Sequence, residues 1–208
     1  MTQTPPQAPQ KSWLIDKPLT GFALPSGRFA RVYGWMLIRN TKTEQADVFR
    51  ALDLRPGERV LEVGHGPGPL LAKIAEAGAG QVCGADPSET MVRMARQRLA
   101  KVTENADIRQ GTAEDTGFDD ASFDLAISVN NVPMWSGLQA GFGELHRVLK
   151  PGGRLVVAWH GGRNPTQIAR RLTLPSEVLA RILDELRATF GNGEHEQSER
   201  MEIFRAVR

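Results

Sequence analysis

Five residues in the first half of the chain have the types and spacing to hold a charged small molecule. Gly64, Gly66 and Gly68 punctuate the stretch VLEVGHGPG, and Glu62 stands just before them. Asp86 follows roughly 20 residues further on, where an acid can hydrogen-bond the hydroxyls of an adenosine ribose. Glycines allow tight turns and a close approach of backbone to ligand, and the helix expected at Pro69 offers its N-terminus. The spacing is GxGxG, whereas a dinucleotide cradle is GxGxxG. A carboxylate at Glu62 repels a pyrophosphate and suits an ammonium. The bland reading of Asp86 is a helix cap, because DPSETM also looks like a helix start. Together these residues ask for an adenosine with a positively charged amino-acid tail.

Such residues work only if a scaffold brings strand ends together. Apolar segments at 59–63, 81–85, 106–110, 125–128 and 154–159 read as strands, separated by helical patterns at 69–77, 89–102 and 138–149. That alternation predicts an α/β fold: a doubly wound, mostly parallel, seven-stranded Rossmann-like sheet with helices on both faces. Ligands bind such sheets outside the carboxyl ends of the strands, and the glycine stretch falls at the end of the first one. A helix at 176–190 and a strand at 201–207 follow, the strand with an abbreviated hairpin partner. Ahead of the sheet, residues 1–12 are Pro/Gln-rich and read as a disordered tail. Residues 13–54 read as an N-terminal helical cap, with helices at 27–40 and 43–52, and residues 55–208 as the ligand-binding domain.

Composition narrows the partners. The chain has 208 residues, a formal net charge of +2 and 24% charged residues, too mild a balance to argue for nucleic acid or an acidic membrane. Its single cysteine, Cys83, leaves no internal disulfide and no cysteine cluster for a metal; a buried small hydrophobe is the better reading. No apolar run approaches a membrane span and no signal peptide is evident, so the expected location is cytoplasmic.

Between about residues 55 and 159 the chain resembles the class I S-adenosylmethionine-dependent methyltransferases, of the small type related to quinone biosynthesis. Four blocks occur in the family's order: VLEVGHGPG, VCGADPSETMVRMARQRL, GTAEDTGFDDASFDLAISVNNV and ELHRVLKPGGRLVV. The resemblance implies S-adenosylmethionine, whose sulfonium and ammonium match the charge argument above. It places Gly64, Gly66, Pro67 and Gly68 around the methionine portion, with Glu62 supporting the loop and the ammonium. Asp86 takes the ribose, Pro87 and Met91 flank the adenine, and Thr112, Ala113 and Glu114 meet its edge. The family commonly has Asp or Asn where this chain has Thr112, so Glu114 is expected to supply that contact. Ser128 touches the cofactor from below.

The methyl acceptor is expected to be a small molecule, bound by the loops after the fourth and fifth strands. Asn130, Asn131 and Trp135 are candidates to line it, with Tyr33 covering it from the N-terminal helix. His160 is a weak candidate for a general base, since a hydroxyl acceptor usually needs one and a neutral amine does not. The rival readings are Trp135 as a packing anchor, Tyr33 as core and His160 as an exposed loop residue. His65 reads as a non-catalytic loop residue, and His146, in the helix ELHRVLK, as a surface position. The paired prolines of amino-methyltransferases acting on bases are absent from NNVPM, which weakens a nucleic-acid target. Three alternatives stay open: a nicotinamide dehydrogenase, disfavoured by the glycine spacing; a cofactor-binding module without catalysis; and a phospholipid N-methyltransferase, if GRFARVYGWMLIRN lies on a membrane. The acceptor atom, nitrogen or oxygen, and the oligomeric state are not set by the sequence.

Overall fold

The computed structural model describes residues 12–14, 42–167 and 169–208. In chain order the elements are α1 (Lys42–Ala51), β1 (Arg59–Val63), α2 (Pro69–Glu76), β2 (Gln81–Asp86), α3 (Glu89–Leu99), β3 (Ala106–Gln110) and β4 (Phe123–Val129). There follow α4 (Leu138–Val148), β5 (Leu149–His160), α5 (Ser176–Phe190), β6 (Glu194–Gln197) and β7 (Met201–Val207). The expected helix at 27–40, with Tyr33 and Trp35, lies outside the described residues.

The seven strands form one sheet in the order β3-β2-β1-β4-β5-β7-β6. The first five are parallel; β7 runs antiparallel to β5, and β6 antiparallel to β7. Chain direction across the sheet reverses between β1 and β4, so the loops after those strands flank a crevice. Strands buried on both faces read as continuous apolar runs rather than alternating ones. Accordingly Leu61 and Val63 pack with Phe142 and Leu186 on the α4/α5 face. Val60 packs with Leu71, Ile74 and Leu99 on the α1/α2/α3 face. Glu62 is the one charged residue among the buried positions of β1, and alternation puts it on the face of Val60.

The C-terminal hairpin is short, as expected, because β6 has only four residues. Three of those four are exposed, with Glu194 and Glu196 charged, and such a strand ends the sheet without offering a sticky edge. β5 is longer than the sequence suggests, since Lys-Pro-Gly-Gly at 150–153 joins it instead of forming a separate turn. The chain end explains this. Arg208 N donates to Gly153 O at 2.9 Å, and Gly152 N donates to Arg208 O at 2.7 Å. The irregular register between Phe123 and Leu125 accommodates Pro151, which has no N–H to give a ladder.

Two N-terminal pieces grip the sheet from opposite faces. Asp47 of α1 accepts from Ser198 Oγ (3.0 Å) and Arg200 N (2.8 Å), fastening that helix to the turn before β7. Trp13, in the segment read from sequence as an N-terminal helical cap, is bonded to the loop after β4. Its backbone N–H donates to Trp135 O (2.9 Å) and its indole N–H to Val132 O (2.7 Å), with Arg181 stacked 4.9 Å from the ring centroid. Trp13→Phe keeps an aromatic ring but removes the indole bond to Val132 O, which retains only the bond from Trp135 N, so it should lower stability by about 1 kcal/mol. Trp13→Ala should cost more, and chemical denaturation of both variants checks the order.

Candidate functional site

Three left-handed glycines shape the loop after β1: Gly64 (φ +66°), Gly66 (+55°) and Gly68 (+74°). Gly64 N donates to Ala85 O at 2.7 Å, so the loop leaves β1 still tied to β2. The peptide groups of Gly66 are pinned from two sides. Its N–H donates to Asp86 Oδ2 at 2.9 Å, and its carbonyl accepts from His65 Nδ1 at 2.7 Å. Asp86 Oδ1 accepts from Ser88 N at 2.9 Å, and Ser88, not Asp86, is the N-cap of α3. His65 fits because β2 omits a side chain: a Cβ on Gly84 would lie 2.6 Å from His65 Cδ2. Burial holds the His65 imidazole below its usual basicity, against the opposing pull of Asp86 and the bond to Gly66.

The electrostatics centre on Glu62. It is 4% exposed, and its Oε2 has no hydrogen-bond partner among the described residues. Burial, and secondarily the charge of Asp86, push its carboxyl up to about 8. Buried polar atoms are rarely left unpaired, so each exception calls for a cause. Other such atoms are His65 Nε2, Asn130 Oδ1, Glu44 Oε2 and His160 Nδ1. All five belong to residues at or beside the carboxyl ends of β1, β4 and β5, the end where doubly wound sheets bind ligands. Arg59 Nε and Arg154 Nε lie towards the opposite end of their strands.

On the β4 side most of the candidate residues are bonded within the protein. The Asn131 amide uses all four of its bonding positions: Oδ1 accepts from Ser128 Oγ (2.7 Å) and Trp135 Nε1 (2.8 Å), and Nδ2 donates to Val63 O (2.8 Å) and Val129 O (3.3 Å). Asn131 is therefore a clamp between the two loops, with no group left for an acceptor. Trp135 is buried against Phe142 and Gly141, the packing anchor of the two readings. Ser128 is fully buried, and its hydroxyl serves Asn131. Glu114 Oε1 accepts from Ser136 N (2.5 Å) and Gly137 N (3.4 Å) at the start of α4. Thr112 Oγ1 accepts from Asp115 N at 3.1 Å within its own turn. Ala113 and Met91 are buried, and Pro87 is half-buried with its carbonyl taken by Gln110 Nε2.

Asn130 follows the last residue of β4. It sits in the left-handed region (φ +56°), its N–H donates to Ala158 O at 2.9 Å, and its Oδ1 is unpaired. His160 is no exposed loop residue: it ends β5, is buried, and lies 3.1 Å through Nδ1 from Glu44 Oε2. Sequence reasoning missed Glu44, whose helix pattern gave no hint of a polar contact. It also missed Glu144, which holds the loop after β3 by accepting from Thr116 N (2.9 Å) and Thr116 Oγ1 (2.6 Å).

Residues 60–153 match a methyltransferase domain, and that segment contains the glycine loop, Asp86 and the β4 loop. Over residues 60–153 the chain is thus similar to methyltransferase domains. A demethylmenaquinone methyltransferase of Staphylococcus epidermidis is 33% identical over 137 residues, which is 63% of this chain and 55% of that protein. The chain thus spans about half the length of that curated relative. Among solved structures, phosphoethanolamine N-methyltransferase 2 of Haemonchus contortus superposes with a TM-score of 0.72 at 17% identity, covering 92% of this chain and 62% of that one. The [4+2]-cyclase SpnF superposes with a TM-score of 0.61 at 26% identity, covering 74% and 58%. These likenesses carry the doubly wound methyltransferase fold.

The raised Glu62 carboxyl makes a test that needs no ligand. Between its ordinary 4.5 and about 8, the folded protein holds a proton that the unfolded chain has released. Stability therefore falls as pH rises through that window and levels off above it. Glu62→Gln cannot ionise, so it should be nearly neutral at acid pH and stabilising above pH 8, by on the order of a few kcal/mol. Melting temperatures of both proteins across pH check the crossing.

Proposed function

We propose that the chain binds S-adenosylmethionine in the crevice between the β1 and β4 loops and transfers its methyl group to a small-molecule acceptor. The observation that carries this reading is Glu62, a buried carboxylate without a partner beneath a glycine loop. An amino-acid ammonium is the partner it lacks. Gly64, Gly66, Pro67 and Gly68 would wrap the methionine portion. Asp86 keeps a second lone pair on each oxygen for the ribose hydroxyls while it holds Gly66 and Ser88. Pro87, Met91, Thr112 and Ala113 would form the adenine wall, and Asn130 would face the acceptor. The bound sulfonium supplies the methyl group; the chain's own part is to place the acceptor and exclude water.

The relatives named for demethylmenaquinone and the neighbour named for phosphoethanolamine favour a small acceptor over nucleic acid. Among the described residues, no helix is long and apolar enough to cross a membrane. The likeness to a [4+2]-cyclase favours one second reading, in which the fold and its site serve other chemistry.

Calorimetry tests the cofactor. S-adenosylmethionine and S-adenosylhomocysteine should bind and NAD should not, with Asp86→Ala costing roughly 1.5–3 kcal/mol. Because Glu62 keeps its proton up to about pH 8, an arriving ammonium should displace it. Binding at pH 7 should therefore release up to about one proton, measured in buffers of different ionisation enthalpy, and Glu62→Gln should release none. Tight NAD binding would sink the assignment. Cofactor binding without methyl release to any amine, phenol or quinol would favour the second reading.

A further inference from the structure

We propose that His160 and Glu44 form a proton-accepting pair, and that the acceptor is a hydroxyl compound of phenol or enol type. The inference rests on the methyl-transfer reading above and adds the substrate class. His160 is the last residue of β5, and the pairing of Val129 with Ala158 sets it beside the start of the β4 loop. The bond from Asn130 N to Ala158 O fixes that juxtaposition at 2.9 Å. Its Nδ1 faces Glu44 Oε2 at 3.1 Å, off the line of a hydrogen bond, and both atoms are buried with no other partner. The opposite nitrogen, Nε2, bonds to no described residue, while the side chain keeps 11% exposure.

A buried carboxylate facing a buried imidazole is expensive to desolvate and adds little net stability, so packing alone is a poor reason for it. The neighbouring charges are otherwise occupied. Asp47 on α1 serves Ser198 and Arg200, and the Arg200 guanidinium turns to Asn164 O. Glu202 on β7 pairs with Trp159, on the opposite face from His160, and is held by His195 and Gln197. The other histidines lack the arrangement: His65 is enclosed at Nε2, His195 gives Nε2 to Glu202, and His146 packs edge-on against Phe190.

With Glu44 beside Nδ1, that nitrogen carries the proton and Nε2 presents its lone pair. The acceptor O–H passes its proton to Nε2 as an oxygen lone pair forms the new O–C bond. The methyl C–S bond breaks, and its electron pair stays on sulfur as a neutral thioether. The imidazolium, its charge balanced by Glu44, then returns the proton to water. An amine arriving neutral needs no such base, which is why the pair selects for a hydroxyl. Glu44 is a positioning residue, and His160 is the group that meets the substrate.

The test uses the full chain with S-adenosylhomocysteine for binding and protection, S-adenosylmethionine as methyl donor, diethyl pyrocarbonate, catechol and benzylamine. If S-adenosylhomocysteine does not bind, the methyltransferase reading itself fails. With binding intact, peptide mapping should show His160 modified by diethyl pyrocarbonate well before His65, and bound S-adenosylhomocysteine with catechol should protect it. Catechol should be methylated faster than benzylamine. His160→Asn should lower kcat for catechol by about 100-fold or more at unchanged S-adenosylhomocysteine affinity. Glu44→Gln should lower it less and alter the pH profile, and Glu44→Asp should restore part of both. A His160 that resists the reagent in the folded protein overturns the proposal without any variant. So does catechol methylation that survives His160→Asn, or methylation confined to benzylamine.

Discussion

A single acid inside a wall of aliphatic side chains sets the terms for the rest of the structure. Glu62 occupies a strand position whose neighbours Leu61 and Val63 are fully buried, so its charge has no solvent to relax into. Left alone, the site keeps that carboxyl protonated up to about pH 8; given a cationic ligand, it can ionise below that. The surrounding loop is arranged so that the ligand can arrive. Three left-handed glycines turn the backbone without side chains, and Gly66 is held by Asp86 and His65 together. Asp86 thus has two tasks, since it fixes the loop and adds the second negative charge that keeps Glu62 from ionising alone.

The same economy extends across the crevice. Asn131 joins the carbonyl that ends β1 to the hydroxyl of Ser128 and the indole of Trp135, so the two loops form one bonded unit. Gly64 has to be glycine there for a second reason, because any Cβ would collide with the Asn131 amide. Glu114 and Glu144 then attach the loop after β3 to α4 at two points. A displacement of the β4 loop is thereby carried to the end of β1 through hydrogen bonds rather than through loose packing.

Strands, helices and the position of the glycine loop were legible because each depends on local pattern. Apolar runs, Pro69 at a helix start and the GxGxG spacing are all readable within a few residues. Side-chain partnerships across the sheet were not. Asn131 and Trp135 stand in a loop after β4, which in sequence reads as a place to meet substrate. Only the fold shows that both are spent on Val63, Ser128 and Gly141. Glu44 and His160 are more than a hundred residues apart, and no spacing rule links a residue in α1 to the end of β5. Trp13 illustrates the same gap, since its two bonds reach residues 132 and 135.

Asn130 ties these threads to one backbone feature. A non-glycine residue in the left-handed region costs roughly 1–2 kcal/mol, and asparagine bears it better than most. Here the conformation is held by the bond to Ala158 O behind it and the Asn131 clamp in front. The strain ends β4 abruptly, so residue 130 stands between the cofactor loop and the end of β5 with Oδ1 still unpaired. Had β4 continued in extended conformation, alternation would set residue 130 on the face of Ser128, among buried side chains. The turn therefore converts the end of a core strand into a polar rim, with Glu62 on one side and His160 on the other.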